Sequence, residues 1–381
     1  MKNLIPFLLI VALFSCSGKQ EKTSSNILEN LTFTVDTVIV DSGGDFFSIG
    51  YGLGATTLNK DKSKLLFFEN EPLNLVEVDL NNLKLVRKIL FQREGPNGVG
   101  PNLVRFQLGP VGELFIQGYK MQGIFNYSGE LIESLKVVPE GIDSELANNF
   151  QELYASAVFD FEKNRIYSKP SSETLQKNEL FIIDPLTKNV RVEPIPEMKA
   201  VKEFVGTFVI ESDKGSLINF FWVDSDMYVD NGQLLITAGS MSGIYRLDLK
   251  TDSLEFIDIQ HKAFPNRMTF DVNNSPADEA TFNQDQRKIF EHLNYMEPRW
   301  DESRAMFLRL GRKTFLGEKR GDPSTYEVFL FAYDTDFNVL GETKIEGLKQ
   351  VPINYFWKKG KLWSYVNVED ELGFAVFTFD F

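Results

Sequence analysis

The sequence predicts an all-β fold: a six-bladed β-propeller closed by an N-terminal strand, with small helical insertions on one face. Three observations predict it. A four-strand pattern recurs about six times, an Asp or Asn recurs at the end of each third strand, and the last unit runs out of chain after three strands. The pattern is plainest in residues 227–259, MYVDNGQLLITAGSMSGIYRLDLKTDSLEFIDI. Apolar residues alternate there, the Asn231-Gly232 step favours a two-residue hairpin turn, and a second turn falls near residues 250–252. One such unit buries too little to stand alone, so it is expected to pack in a radial array.

The units align by their first hairpin turn. These turns are Lys62-Ser63-Lys64-Leu65, Val111-Gly112-Glu113-Leu114, Lys163-Asn164-Arg165-Ile166, Asn231-Gly232-Gln233-Leu234, Gly311-Arg312-Lys313 and Lys359-Gly360-Lys361-Leu362. The third strands end at Asp79, Asn126, Asp184, Asp248, Asp334 and Asp380. Asp and Asn there can accept from backbone N–H groups two residues on and so start the next turn. The fourth strand missing from the last unit is expected in residues 31–41, LTFTVDTVIVD, which alternate cleanly and have no other partner in sequence. Pairing with residues 373–381 would close the ring and remove its free edges. A seven-bladed ring, with residues 204–219 as an extra blade, is the alternative.

The N-terminus reads as an address. After Lys2, residues 4–14 (LIPFLLIVALF) are apolar. A membrane span needs about 20 residues, so residues 1–15 are read as a signal peptide. Leu13-Phe14-Ser15-Cys16 resembles a bacterial lipobox, with Phe14 departing from the usual small or aliphatic residue. Cys16 is the only cysteine and would become the lipid anchor. Two or more acyl chains hold a protein stably in a membrane. Residues 16–30 are then the lipidated Cys and a Ser-rich flexible tether, and residues 31–381 a single propeller domain. Ser17-Gly18 lacks the acid that retains some lipoproteins at the inner membrane, which favours the outer membrane by resemblance. The net charge of −14 argues against nucleic acid and anionic headgroups as partners. One cysteine allows no intramolecular disulfide, so the core must come from packing, and 34 Phe with 43% apolar residues suffice. A monomer is expected.

Spacing between units is uneven. The excess lies between one unit's fourth strand and the next unit's first, in residues 92–102, 138–154, 195–220, 260–304 and 347–352. Such crossings emerge on one face of a propeller and are where function concentrates. Two show helical spacing: Leu146, Phe150, Leu153 and Tyr154 in one, Phe282, Ile289, Phe290 and Leu293 in the other. Thr281 and Gln284 resemble a capping box there, and Gln286 and Glu291 are expected outside. Crossing 260–304 also holds His261 and His292, the only histidines. They are candidate ligand contacts, although a surface His and a helix-packing His is the simpler reading. Arg299, Trp300 and Asp301 are the leading candidates beside the central channel. Arg suits an anionic or hydroxyl group, Trp stacking, and Asp hydrogen bonds. No metal or cofactor motif and no catalytic residue is identified. Two acidic clusters, Asp224-Ser225-Asp226 with Asp230 and Asp334-Thr335-Asp336 with Asn338, lack the EF-hand Gly and Glu and are read as hairpin turns.

Residues 92–102, QREGPNGVGPN, are not a phosphate loop, because no Gly-Lys-Ser/Thr follows. They resemble the Gly-Pro-rich first crossing of six-bladed propeller lipoproteins of Gram-negative bacteria. With the lipobox and the blade pattern, the mature chain resembles that family, a domain of unknown function. The resemblance implies a fold and an envelope address, and no catalytic residues. The expected role is a binding or scaffold module, held at the membrane through Cys16, for a glycan, a peptide or an envelope protein. A propeller hydrolase or lyase with carboxylates at the channel mouth is the alternative.

Overall fold

The computed structural model describes residues 26–50, 52–118, 121–135, 152–171, 178–212, 215–319 and 321–381. The expected signal peptide, Cys16 and the first part of the expected tether lie outside them. Strand β1 (Thr32–Ile39) pairs antiparallel with the last strand of the chain. Blade one is β2 (Thr56–Leu58), β3 (Lys64–Glu69), β4 (Asn74–Asp79) and β5 (Lys84–Leu90). Blade two is β6 (Leu103–Leu108), β7 (Leu114–Gly118), β8 (Gln122–Phe125) and β9 (Leu131–Ser134). Blade three is β10 (Glu152–Asp160), β11 (Arg165–Ser171), β12 (Glu179–Ile183) and β13 (Val190–Pro194). The short helix α1 (Lys199–Glu203) and a separate hairpin, β14 (Gly206–Ser212) and β15 (Gly215–Phe221), precede blade four. Blade four is β16 (Ser225–Asp230), β17 (Gln233–Ala238), β18 (Ile244–Asp248) and β19 (Leu254–Ile257). Helix α2 (Glu279–Glu291) leads to blade five: β20 (Asn294–Asp301), β21 (Met306–Phe315), β22 (Thr325–Tyr333) and β23 (Val339–Lys344). Blade six is β24 (Phe356–Lys358), β25 (Lys361–Val368) and β26 (Glu371–Asp380), with β1 as its outer strand.

The ring closes because the middle strands are apolar on both faces. In β3, Leu65 and Phe67 pack toward blade six while Leu66 and Phe68 pack toward blade two. In β12, Phe181 and Ile183 face blade two while Leu180 and Ile182 face blade four. A sheet buried on both faces reads as a continuous apolar run, so ELFII and QLLITA look alike in sequence. The result is one buried cluster at each of the six interfaces between neighbouring blades. Six interfaces complete the circle, so β14 and β15 are an insertion and not a seventh blade. Phe208 and Phe221 of that hairpin pack on Phe282 of α2, in a small separate core above the ring.

Turn chemistry follows the sequence at most positions. Asn231 and Gly232 both have positive φ, 48° and 74°, as a tight hairpin turn requires. Asp79, Asn126, Asp184, Asp248 and Asp334 each accept two backbone N–H groups in the following turn. Asp380 ends the last strand and has no turn to start.

Four expectations are corrected. Residues 311–313 are not a turn but the middle of β21, and blade five turns at residues 302–305. The strand before that turn, NYMEPRWD, holds Pro298 at a register shift and shows little alternation. It tolerates both because it is the inner edge strand, with no ladder on its channel side. The long crossing therefore ends before Asn294. Second, the propeller does not begin at Leu31. Asn26 exchanges side-chain hydrogen bonds with the Glu342 backbone, Ile27 N–H donates to Leu340 O, and Leu28 is wholly buried. The end of the expected tether is docked on β23. Third, residues 152–154 begin strand β10 and are not helical, and the rest of that predicted helix lies outside the described residues. Fourth, Asp278, not Thr281, caps α2, accepting from Thr281 N–H at 2.8 Å. The helix docks through Phe282, Ile289 and the neighbouring Leu293, all buried, with Phe290 half-buried. Glu291 is exposed, whereas Gln286 is half-buried.

Candidate ligand site in the central channel

The inner strand of each blade borders the channel: β2, β6, β10, β16, β20 and β24, with β2 touching β6, β10 touching β16, β16 touching β20 and β20 touching β24. Each enters from the face where the crossings emerge. The positions that carry charge lie near that mouth. Asp224, just before β16, pairs with Arg312 of β21 at 2.6 Å. Asp226 pairs with Arg105 of β6, which also donates to Met227 O. That pair joins blades two and four, which are not neighbours, so it reaches past the inner strand of blade three. Lys169 of β11 donates to Ser225 Oγ. The first acidic cluster is thus not hairpin chemistry. Asp224 and Asp226 form ion pairs at the channel mouth and Asp230 accepts from Trp300 N–H, while Asp334 and Asn338 do form the turn expected of them.

Deeper along β20 lie Glu297 and Arg299, both half-buried. The strand's carbonyls are satisfied from either side: Tyr228 of blade four donates to Pro298 O, and Tyr355, just before blade six, donates to Glu297 O at 3.0 Å. An inner edge strand has no ladder partner toward the channel, so side chains take that role. The Arg299 guanidinium lies 4.1 Å over the Tyr228 ring. It makes no hydrogen bond or ion pair among the described residues, and its Nε is buried without an acceptor. A buried unpaired donor costs about 1–3 kcal/mol and calls for an explanation. The Glu297 carboxylate is likewise held by no other residue's hydrogen bond among those described, and burial pushes its pKa up. Burial, partly opposed by Asp226 and reinforced by Arg105, pushes Lys169 down to about 8.

The opposite end of the channel is bridged by conventional bonds. Trp300 N–H donates to Asp230 at 2.9 Å, and Lys62 Nζ donates to Trp300 O at 3.2 Å and pairs with Glu302 at 3.0 Å. Lys358 Nζ donates to Lys62 O at 2.6 Å.

The candidate residues are therefore separated. Arg299 faces the channel. Trp300 is partly buried and packs on Phe307, ring centres 5.0 Å apart. Asp301 is 1% exposed, and its carboxylate holds Ser303 N–H and Arg304 in the first turn of blade five. It is a turn residue, not a free hydrogen-bonding group. His261 is buried between blades four and five, not on the surface. Its Nδ1 bonds Glu342 at 2.8 Å and its Nε2 lies 3.2 Å from Tyr333 Oη. Burial lowers its pKa, with Glu342 opposing. His292 follows α2 directly, half-buried against Phe270. Sequence reasoning did not single out Arg105 or Lys169, and it read Asp226 as a turn residue. The available signal was polarity on first strands: LVRFQL, SDMYVD and NYMEPRWD each carry charge within the strand, which covers Arg105 and Asp226 but not Lys169, on the second strand of blade three.

Two other features share the crossing face. Phe220 and Trp222 stack at 5.0 Å and are 56% and 53% exposed. An open cleft of about 400 Å³ lies among Glu197, Phe256, Asp258, Gln260 and Arg267. Among the described residues no three His, Cys, Asp or Glu side chains are grouped to hold a metal ion, and no helix is long and apolar enough to cross a membrane.

Comparison with known proteins places the architecture. No curated protein matches the sequence. A Bacteroides vulgatus ATCC 8482 protein of the DUF4221 family has the same fold, with a TM-score of 0.63 at 14% identity, covering 92% of this chain and 98% of that one. A Bacteroides fragilis NCTC 9343 protein described as exported gives a TM-score of 0.50 at 10% identity, covering 91% and 95%. The family profile described as "Domain of unknown function (DUF4221)" matches residues 24–344, so the chain belongs to the DUF4221 family of six-bladed propellers.

Proposed function

We propose that this protein is an exported, envelope-tethered binding module whose ligand enters the channel from the crossing face. The ligand is a glycan, a peptide or part of another envelope protein. One observation carries the reading: the Arg299 guanidinium is fixed over Tyr228 in a channel and bonded to nothing among the described residues. A half-buried charged group held in place with its donors unused is what a preorganised binding site needs, because the ligand completes its hydrogen bonds. The acids near it do not converge on one point in the manner of a carboxylate hydrolase. Asp224 and Asp226 are each bonded to an arginine. The stacked Phe220 and Trp222 offer further apolar contact for a large partner on the same face. Export is supported by the signal-like residues 1–15 and by the exported B. fragilis relative in fold. Anchoring through Cys16 at the outer membrane rests on the lipobox resemblance.

The test is a screen of the purified protein against envelope glycans and peptides, repeated with Arg299→Ala and Trp300→Ala. The reading expects a ligand whose binding Arg299→Ala weakens at least about tenfold, or ~1.4 kcal/mol. Ligands that bind Arg299→Ala and the wild type equally would place the site elsewhere.

A further inference from the structure

We propose that the channel, just inside its mouth, holds a subsite for a carboxylate, formed by Arg299 and Lys169. The proposal rests on the binding reading above and names the chemistry of its ligand. Around Asp226 stand the cations Arg105, Lys169 and Arg299, with Arg312 beside them, against the acids Asp224, Asp226 and Glu297. Arg312 and Asp224 neutralise each other, as do Arg105 and Asp226. Among the described residues that leaves Arg299 and Lys169, neither in an ion pair, against Glu297 alone. The described part of the site therefore has an excess of about one positive charge, inside a protein of net charge −14. A monoanion balances it. A phosphate dianion would overshoot.

Geometry agrees with that choice. The Arg299 guanidinium is held 4.1 Å over the Tyr228 ring, which limits how its fork can turn. A guanidinium fork fits a carboxylate through two parallel hydrogen bonds. Among the described residues Lys169 donates to the Ser225 hydroxyl alone, which is no counter-ion. Two sources supply a terminal carboxylate in the envelope: the sugar acid of a glycan and the free C-terminus of a peptide.

Binding is then pH-linked. Lys169 faces Ser225, Asp226 and Arg105, and Glu297 faces Arg299, Asp226 and Asp224. An anion stabilises the Lys169 ammonium, so affinity should be highest below about pH 8 and fall as pH rises through that value. A protonated Glu297 removes the repulsion of the incoming anion, with the same sign.

The experiment uses the purified protein with ¹³C-labelled lysine, the Lys169 signal being assigned by Lys169→Met. Acetate is titrated in at constant ionic strength against chloride, acetamide and phosphate. The expected result is a rise of about one unit in the Lys169 midpoint with acetate, a tenfold coupling, and none with acetamide. Arg299→Gln should abolish the shift, and Arg299→Lys should keep part of it with the fold intact by circular dichroism. Glucuronate against glucose, and a free against an amidated peptide C-terminus, then tell the two sources apart. No shift with acetate, or an equal shift with phosphate, would overturn the carboxylate assignment. If neutral sugars or amidated peptides bind and lose affinity in Arg299→Gln, the assignment falls while the binding reading stands.

Discussion

Leu28→Ala tests whether the segment ahead of β1 is part of the domain. Leu28 is fully buried, in the cluster between blades five and six with Leu308, Leu310 and Trp357. Its neighbour on β23 is Gly341, where an added Cβ would lie 2.8 Å from Leu28 Cγ. Backbone of a paired strand cannot move in to fill the space, so the cavity should stay open. Leu→Ala changes at buried sites cost ~2–5 kcal/mol, and a rigid wall puts this one in the upper half of that range. That is a large share of a domain's ~5–15 kcal/mol. In urea, with m of about 3 kcal/mol/M, the midpoint should drop by roughly 1.2–1.7 M at unchanged m. Val35→Ala, on the same end of the chain but 44% exposed, is the control and should stay within ~0.5 kcal/mol. If Leu28→Ala matches the control, residues 26–30 are a tether and the docking described for them is mistaken.

Three further outcomes are expected. Deleting residues 17–41 removes the outer strand of blade six and exposes the β26 edge, so the protein should aggregate on a sizing column; a monomer with unchanged melting temperature would contradict ring closure. Because burial holds the His261 pKa below its unfolded value of about 6.5, the unfolded chain takes the proton first. Stability should therefore be full above that pH and fall as pH drops through it, and His261→Gln should flatten that slope while costing ~1–3 kcal/mol at neutral pH by leaving Glu342 short of a partner. Cys16→Ser should move the protein from the membrane fraction to the soluble periplasm; unchanged membrane association would remove the lipoprotein reading.

What the sequence disclosed followed from which forces are local. Alternation in LTFTVDTVIVD and the recurrent turn Asp are local properties, and both survive in the fold as the β1–β26 pairing and the Asp-started turns. Blade five was misread at its inner strand because the channel side of that strand has no ladder, so polar residues and Pro298 are tolerated and the apolar pattern fades. The same absence of pattern concealed the channel. Arg105 and Asp226 are 121 residues apart and meet only because blades two and four face each other past blade three. His261 looked like a loop residue because its partner Glu342 lies 81 residues on, in a strand whose role depends on the closed ring. Arg299 could be named from its neighbours in sequence. That it would lie over Tyr228 with unused donors could not.

The most direct test is a high-resolution crystal structure of the protein purified from its native envelope, read at Arg299. The account predicts atoms of a ligand or ordered waters within hydrogen-bond distance of its guanidinium, with Arg105–Asp226 and Arg312–Asp224 intact around it. A map in which Arg299 has turned to bond Glu297, leaving no space at the channel mouth, would contradict it.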